Sequence, residues 1–404
     1  MKIAIFEPRS EGHHLVYVRL IAGEAIRRGW ATWVVTTRQA AATSAYDAVV
    51  EACDGRLSTS FMPSVPDLRS QSSLNLLRFQ WSHFRAFQAG YNTLRKEAGV
   101  DAIYVVNHDY LDKVMSILGS PFGGTPFAGM LMSPTFHHPH MGVRCNAGRY
   151  PKLSEALFYR LLRIPTLRSL LTIDETLIMA AASRPEKEAR KVRYVPDPAS
   201  PPIDTTRTET RERMGIPREA IVILVFGVLS KRKGIKQLLG AVASDRDSRA
   251  VTVLLAGCAD ADTRELLGTE AANMLRDQGR LHEVGGFLSP ADEDAVFAAA
   301  DIAWLGYWRF SGASGVLVKA AASRLPVLAC DEGLIEWVTR KYRLGEVISV
   351  DSLHDIVCGI RRLAENASLR EGYGSRGARL AEFHTPAKFA GAICDALSVS
   401  STTV

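Results

Sequence analysis

The sequence predicts an α/β fold of two Rossmann-like parallel-sheet domains facing a cleft, and three observations predict it. Short apolar runs alternate with segments of helical spacing along most of the chain. The alternation halts once, at Pro196, Pro198, Pro201 and Pro202, where fixed φ and missing N–H donors let no regular element cross. The length, 404 residues, suits two domains better than one. The expected division is 1–200, 201–380, and a terminal segment 381–404 whose helix, Pro386–Leu397, packs back on the first domain.

In the first half, Ile3–Phe6, Thr32–Val35, Ala102–Val106, Phe127–Met132 and Leu170–Ile173 read as strands. His14–Arg28 and Leu74–Leu94 have helical spacing, and Leu74, Leu77, Trp81, Phe84, Tyr91 and Leu94 form a stripe expected to face the core. A polar stretch, Asp204–Thr210, follows the prolines. The second half repeats the pattern with strands at Ile221–Phe226, Thr252–Ala256, Glu283–Gly285, Ile302–Leu305, Val327–Ala329 and Glu346–Ile348. Strands separated by helices imply right-handed crossovers and parallel sheets covered on both faces.

Composition excludes several classes. Hydrophobic residues make up 47% and charged residues 23%, an ordinary globular balance. The apolar run Ile3–Phe6 is too short for the core of a signal peptide, so export is not expected. Six scattered cysteines without a C-x-x-C pair argue against zinc and disulfides and for a reducing, cytoplasmic compartment. The net charge of +6 is concentrated between Arg144 and Arg168, where six basic residues (Arg144, Arg149, Lys152, Arg160, Arg163, Arg168) meet one acid, Glu155. No nucleic-acid module accompanies them, so nucleic acid is not an expected partner. With Leu153, Leu157, Leu161 and Leu162 buried on one face, the basic residues could meet an anionic membrane on the other, or pair with acids of the fold.

Ligands of open parallel sheets bind beyond the carboxyl ends of the strands, and the informative residues follow strands. After Ile221–Phe226 comes Gly227-Val228-Leu229-Ser230-Lys231-Arg232-Lys233-Gly234, with three cations at a helix start. There they oppose the helix dipole, a cost that a bound anion relieves; the other reading is a solvated turn, in which Lys233 would be mostly exposed. After Ile302–Leu305 comes Ser311-Gly312-Ala313-Ser314-Gly315, a small-residue loop that offers backbone N–H groups to phosphate, or simply a tight turn. No P-loop is present and no G-x-G-x-x-G follows the first strand, so an ATPase and a dinucleotide redox enzyme are not expected. His108 beside Asp109 reads as an oriented imidazole facing the cleft, or Asp109 caps the next turn. His137, His138 and His140 lack a carboxylate or cysteine partner in the sequence, so no metal is expected. Asp260-Ala261-Asp262 is better explained by Asp262 as a helix N-cap than as a metal motif.

In order and spacing, Gly227…Lys233-Gly234, Gly285-Gly286-Phe287-Leu288 and Gly315-Val316-Leu317-Val318-Lys319 through Pro326-Val327-Leu328-Ala329 resemble the donor domain of GT-B glycosyltransferases, family 4. The loop Glu11-Gly12-His13-His14 and Arg28-Gly29 are similar to that family's first domain. The resemblance implies a retaining transfer of sugar from a nucleotide-sugar donor to a carbohydrate, lipid-linked or small-molecule acceptor, without cofactor or essential metal. It makes 1–200 the acceptor side and 201–380 the donor side, and it suggests polysaccharide biosynthesis. By it, Gly12 and His13 face the donor phosphates, with Gly227, Arg232, Lys233, Ser311, Gly312, Ser314, Gly315 and Val316 around the diphosphate and Phe287 near the base. His137 is similar in place to the family's first-domain active-site histidine, with His108 as a second catalytic candidate. Three positions depart from the family. Val228 stands where it has arginine, which Arg232 replaces, and Ser311 and Lys319 stand where it has two glutamates. A lysine cannot accept from ribose hydroxyls, so Lys319 is expected to reach phosphate. The loss of both glutamates supports one alternative, a non-catalytic scaffold of the same fold; a nucleotide-sugar epimerase is the other, which Ser311 and Lys319 do not favour.

Overall fold

Apolar runs that must be covered on both faces become the centres of two parallel sheets in the computed structural model, which describes residues 1–10, 14–65, 73–145, 150–200, 207–245 and 251–398. The chain divides into two units: Met1–Met141, Ala147–Pro196 and Pro386–Val404 make the first, and Gly142–Asn146 with Asp197–Thr385 make the second.

The first unit runs β1 (Lys2–Phe6), α1 (His14–Arg27), β2 (Ala31–Thr36), α2 (Arg38–Ala41), α3 (Ser44–Glu51) and β3 (Leu57–Phe61). It continues with α4 (Ser73–Glu97), β4 (Ala102–Val105), α5 (Asp112–Leu118), β5 (Phe127–Leu131), α6 (Pro151–Leu162), β6 (Leu167–Thr172), α7 (Glu175–Ala182) and β7 (Val192–Tyr194). Its seven strands lie in the order β3-β2-β1-β4-β5-β6-β7, all parallel. The second unit runs α8 (Arg207–Arg213), β8 (Ile221–Phe226), α9 (Ile235–Ser244), β9 (Val251–Gly257), α10 (Ala261–Leu267), α11 (Glu270–Asp277) and β10 (Leu281–Gly285). Then come α12 (Pro290–Ala299), β11 (Ile302–Leu305), α13 (Gly315–Ala322), β12 (Val327–Cys330), α14 (Gly333–Tyr342), β13 (Gly345–Ile348), α15 (Leu353–Glu365) and α16 (Ala367–Ala381). Its sheet order is β10-β9-β8-β11-β12-β13, again parallel. Each order turns back at its middle, which opens a crevice at the carboxyl ends of β1 and β4 and of β8 and β11.

Three local expectations need correction. On α4 the buried face is Phe79, Gln80, His83, Phe84, Phe87, Tyr91 and Leu94, while Leu77 and Trp81 are exposed, because the helix is rotated so that aromatic rings meet β1. The α10 N-cap is Asp260, which accepts from the Thr263 N–H at 2.8 Å, and Asp262 sits within the first turn. On α6, Phe158, Leu161 and Leu162 are buried, but Leu153 is exposed.

The cations of that region are largely committed to the fold. Arg144 pairs with Asp331 at 2.7 Å, Arg160 donates to the Ser116 carbonyl and Arg168 to the Leu397 carbonyl. Lys152 and Arg163 remain exposed, and Arg149 lies outside the described residues. Among the described residues no helix is long and apolar enough to cross a membrane, and all six cysteines are free.

The last element, α17 (Pro386–Ser398), belongs to the first unit. Phe389 and Ile393 are fully buried there, with the Phe389 ring 4.7 Å from that of Tyr17 on α1, and Arg28 pairs with Asp395. Phe389→Ala should therefore cost about 3–5 kcal/mol, the usual range for an aromatic ring removed from a core. Urea denaturation followed by circular dichroism reads that loss; a change below 1 kcal/mol would mean that α17 is not part of the first unit's core.

Candidate functional site

In the second unit, the β8 loop and the segment after β11 are locked together. Gly234 has φ +63°, and a Cβ there would stand 2.2 Å from the Gly306 carbonyl, so only glycine allows the approach. The Trp304 indole donates to the Lys233 carbonyl at 2.7 Å, and the Trp308 N–H donates to the Arg232 carbonyl at 2.8 Å.

This clamp carries Lys233 inward. The sequence suggested a solvated turn; instead the side chain is buried, because the single 3-10 turn Lys231–Lys233 folds it under the strand end. Its ammonium donates to the Phe226 carbonyl at 2.8 Å and to the Tyr307 hydroxyl at 2.5 Å. An ammonium has three N–H donors, so one remains. No carboxylate pairs with it among the described residues. A Cβ on Gly227, which has φ +99°, would lie 3.6 Å from the Nζ, so the open space above Gly227 adjoins the cation. A buried cation without a counter-ion is costly, and an anion over Gly227 would offset that cost.

The second loop converges on the same tyrosine: the Ser314 hydroxyl donates to the Tyr307 oxygen at 3.3 Å. Ser314 precedes α13 without capping it, and Gly315 at the helix start is exposed, which leaves the first N–H groups available. Gly312 packs against the Phe310 ring, and the Ser311 carbonyl accepts from the Leu334 N–H. The exposed Arg232 lies over the Phe310 ring at 4.6 Å. Phe287 is 90% exposed, an apolar ring offered beside β10. Val316 packs against the core, so its side chain does not contribute to the loop. Lys319 does not reach toward phosphate. Its ammonium is held by Asp294 at 2.6 Å and Glu293 at 3.3 Å, because α12 presents two carboxylates to it.

In the first unit the histidines are further in than the sequence implied. His108 is fully buried, its ring stacked on Phe127, and a Cβ on Gly129 would strike it at 2.7 Å. Burial pushes its pKa down to about 4 and neither ring nitrogen has a partner, so His108 is a neutral core residue and not a catalytic one. His137 is also buried. Its Nε2 lies 2.9 Å from Asp174 Oδ2, and His138 Nε2 lies 3.2 Å from the same oxygen. Burial pushes the Asp174 carboxyl up, but hydrogen bonds from both histidines outweigh it and hold the group below the usual carboxylate range. Burial in turn lowers the His137 pKa. The three side chains have the spacing of a metal site, and Asp174 is a member that no sequence motif announces. Ligating histidines ordinarily donate their second N–H to a partner, however, and both Nδ1 atoms are buried without one. The arrangement fits Nε2–H groups of both rings donating to an ionised Asp174, which also caps α7.

Beside them opens a pocket of about 380 Å³ beyond the carboxyl ends of β1, β4 and β5, lined by Arg9, Phe79, Asn107, Asp109, Tyr110 and Phe136 among others. The buried Glu7 lies 3.1 Å from His14 Nδ1, and His14 Nε2 lies 3.3 Å from the Tyr110 hydroxyl. Asp109 accepts from the Met132 N–H at 3.2 Å and caps nothing; Asn107 caps that turn. Burial and the neighbouring Asp112 push the Asp109 carboxyl up to about 7. Sequence reasoning missed Glu7, Asp174 and Tyr307, although each lies within two residues of a strand's end, the signal used for the others. Gly12 and His13 lie outside the described residues.

Residues 206–380 match the family model described as glycosyl transferases group 1. No curated protein matches the chain in sequence. Among solved structures, WaaG, a glycosyltransferase involved in lipopolysaccharide biosynthesis, is 16% identical, with 98% of this chain and 100% of that chain covered and a TM-score of 0.65. Sucrose-phosphate synthase from Thermosynechococcus elongatus is 14% identical over 98% of each chain, with a TM-score of 0.69. HepE from Anabaena in complex with UDP is 15% identical over 98% of this chain and 100% of that one, with a TM-score of 0.67. At such identities the likeness shows the fold.

Asp109 gives a pH signature. Its folded pKa, about 7, lies above the ordinary 3.8, so between those values the folded chain keeps a proton that the unfolded chain has lost. The stability it contributes is full below the lower value and is lost as pH rises through the upper one. The stability of Asp109→Asn relative to the wild type should therefore rise between these two pH values in urea denaturation. A difference that stays flat would place Asp109 in water.

Proposed function

We propose that the chain, which has the GT-B fold and a glycosyl transferases group 1 match over residues 206–380, is a glycosyltransferase whose second unit binds a nucleoside-diphosphate sugar and whose first unit binds a carbohydrate acceptor. The observation that carries the reading is Lys233, a buried ammonium with a spare N–H beside Gly227 and no carboxylate partner among the described residues. Cleaving a glycosyl–phosphate bond leaves negative charge on the departing diphosphate, and the protein's main task is to stabilise that charge. Lys233 supplies a fixed cation and Arg232 an exposed one. The N–H groups from Gly312 to Gly315 supply donors that need no reorganisation. Phe287 offers its face to the base.

The first-unit pocket supports the acceptor half. Phe79, Tyr110 and Phe136 are apolar faces for a sugar ring, and Asn107 and Asp109 are acceptors for its hydroxyls. Lys319, with its charge already balanced by Glu293 and Asp294, is assigned to holding α12 against α13. The solved relatives include complexes of HepE with UDP and with UDP-glucose, so uridine diphosphate is the first nucleotide to test.

Calorimetry with uridine, guanosine, adenosine and thymidine diphosphates should give one clear binder. Binding of none at millimolar concentration would refute the donor-site reading. Lys233→Met keeps the apolar stem and removes the charge. It should weaken that nucleotide by a factor on the order of 30, as for loss of one charge-assisted hydrogen bond. Unfolding free energy should change little, since removal of an unpaired buried charge offsets the loss of its two hydrogen bonds. A variant that unfolds would instead make Lys233 structural.

A further inference from the structure

The second unit has another opening, a pocket of about 490 Å³ lined by Arg340, Arg343, Glu346, Arg362, Tyr373 and Arg376 among others. It lies at the amino-terminal start of edge strand β13, whereas the loops of Lys233 and Ser314 follow the carboxyl ends of β8 and β11. We propose that this arginine pocket binds a phosphate-bearing ligand at a site separate from the donor loops.

Charge is the first argument. Arg340 is balanced by Glu336 at 2.8 Å, and Arg362 by Glu346 at 3.2 Å. The Tyr373 hydroxyl donates to the same Glu346 at 2.6 Å, which consumes much of its accepting capacity. Arg343 and Arg376 are left without a carboxylate among the described residues. Arg376 is nonetheless held in place: its Nε donates to the Arg343 carbonyl at 2.8 Å, and its guanidinium lies 5.0 Å from the centre of the Tyr373 ring. An arginine fixed in this way loses little entropy when its remaining N–H groups meet the oxygens of a phosphate, whose geometry matches its planar fork.

The backbone supplies the second argument. Arg343 closes α14 at φ +53°, a left-handed position that glycine or asparagine fills at lower cost. A strained arginine at a position suited to glycine points to a use for its side chain. The concavity supplies the third. The pocket is a broad, open depression with room for a compact phosphate ester, and four arginines line it. The phosphate could come from a soluble ester or from a lipid headgroup, and the chemistry of recognition is the same.

The test uses the full chain and glucose 6-phosphate as the soluble probe. Calorimetric binding should be measurable in the wild type at concentrations up to about 10 mM, unchanged in Lys233→Met, and weakened about tenfold or more in Arg343→Gly. Arg343→Gly relieves the backbone, so it should fold at least as stably as the wild type and separate lost binding from lost structure. Arg379→Gln, which removes an exposed cation from α16 outside the pocket, should bind as the wild type does. Sedimentation with phosphatidylglycerol vesicles but not phosphatidylcholine vesicles, abolished by Arg343→Gly and without glucose 6-phosphate binding, would assign the phosphate to a lipid headgroup. Absence of both kinds of binding overturns the proposal. So does phosphate binding that disappears in Lys233→Met and survives in Arg343→Gly, since it would then belong to the donor loops.

Discussion

A lysine ammonium drawn below the end of β8 organises the second unit's crevice. Lys233 can be buried only because two acceptors, the Phe226 carbonyl and the Tyr307 hydroxyl, replace part of its water. Those acceptors come from different strand ends, so the cation ties β8 to β11 through its side chain while Trp304 ties them through its indole. The close approach of Gly234 to Gly306, and the bond from Ser314 to Tyr307, follow from the same constraint. The loop after β8 is thereby held in place by contacts internal to the second unit.

The first unit solves the same topological problem with opposite charge. Glu7 follows β1, Asp109 follows β4 and Asp174 follows β6, and each is occupied by its own set of donors. Carboxylates at strand ends suit hydroxyl groups, and a cation at a strand end suits phosphate. The two sheets share a fold and differ in what their crevices can receive.

Much of the fold could be read from the chain because the central strands are buried on both faces and appear as unbroken apolar runs, Ile221–Phe226 above all. The edge strands of the first sheet could not. β3, with the sequence LSTSF, has a neighbour on one side only and alternates with polar residues, and β7 has three residues. The rotation of α4 was invisible for a different reason: Leu77 and Trp81 are as apolar as Phe79 and Phe87, and only packing against Phe6 and Phe122 selects between the faces. At the sites, residue types and loops were legible, but partners were not. The fate of Lys233 depends on a hydroxyl 74 residues away, that of Lys319 on a carboxylate 25 residues away, and that of His137 on Asp174.

The terminal helix has a consequence for the order in which the protein comes into being. α17 contributes Phe389, Ile393 and Leu397 to the core between α1 and the first sheet, yet it is made after the whole second unit. On the ribosome, the second unit has nearly all of its sequence-local contacts available as soon as α16 has emerged. The first unit, begun earlier, must wait with an apolar groove beside Tyr17 and Val18 until the last helix leaves the exit tunnel. The unit that is synthesised first is completed last, and in that interval it is the half that a chaperone would recognise.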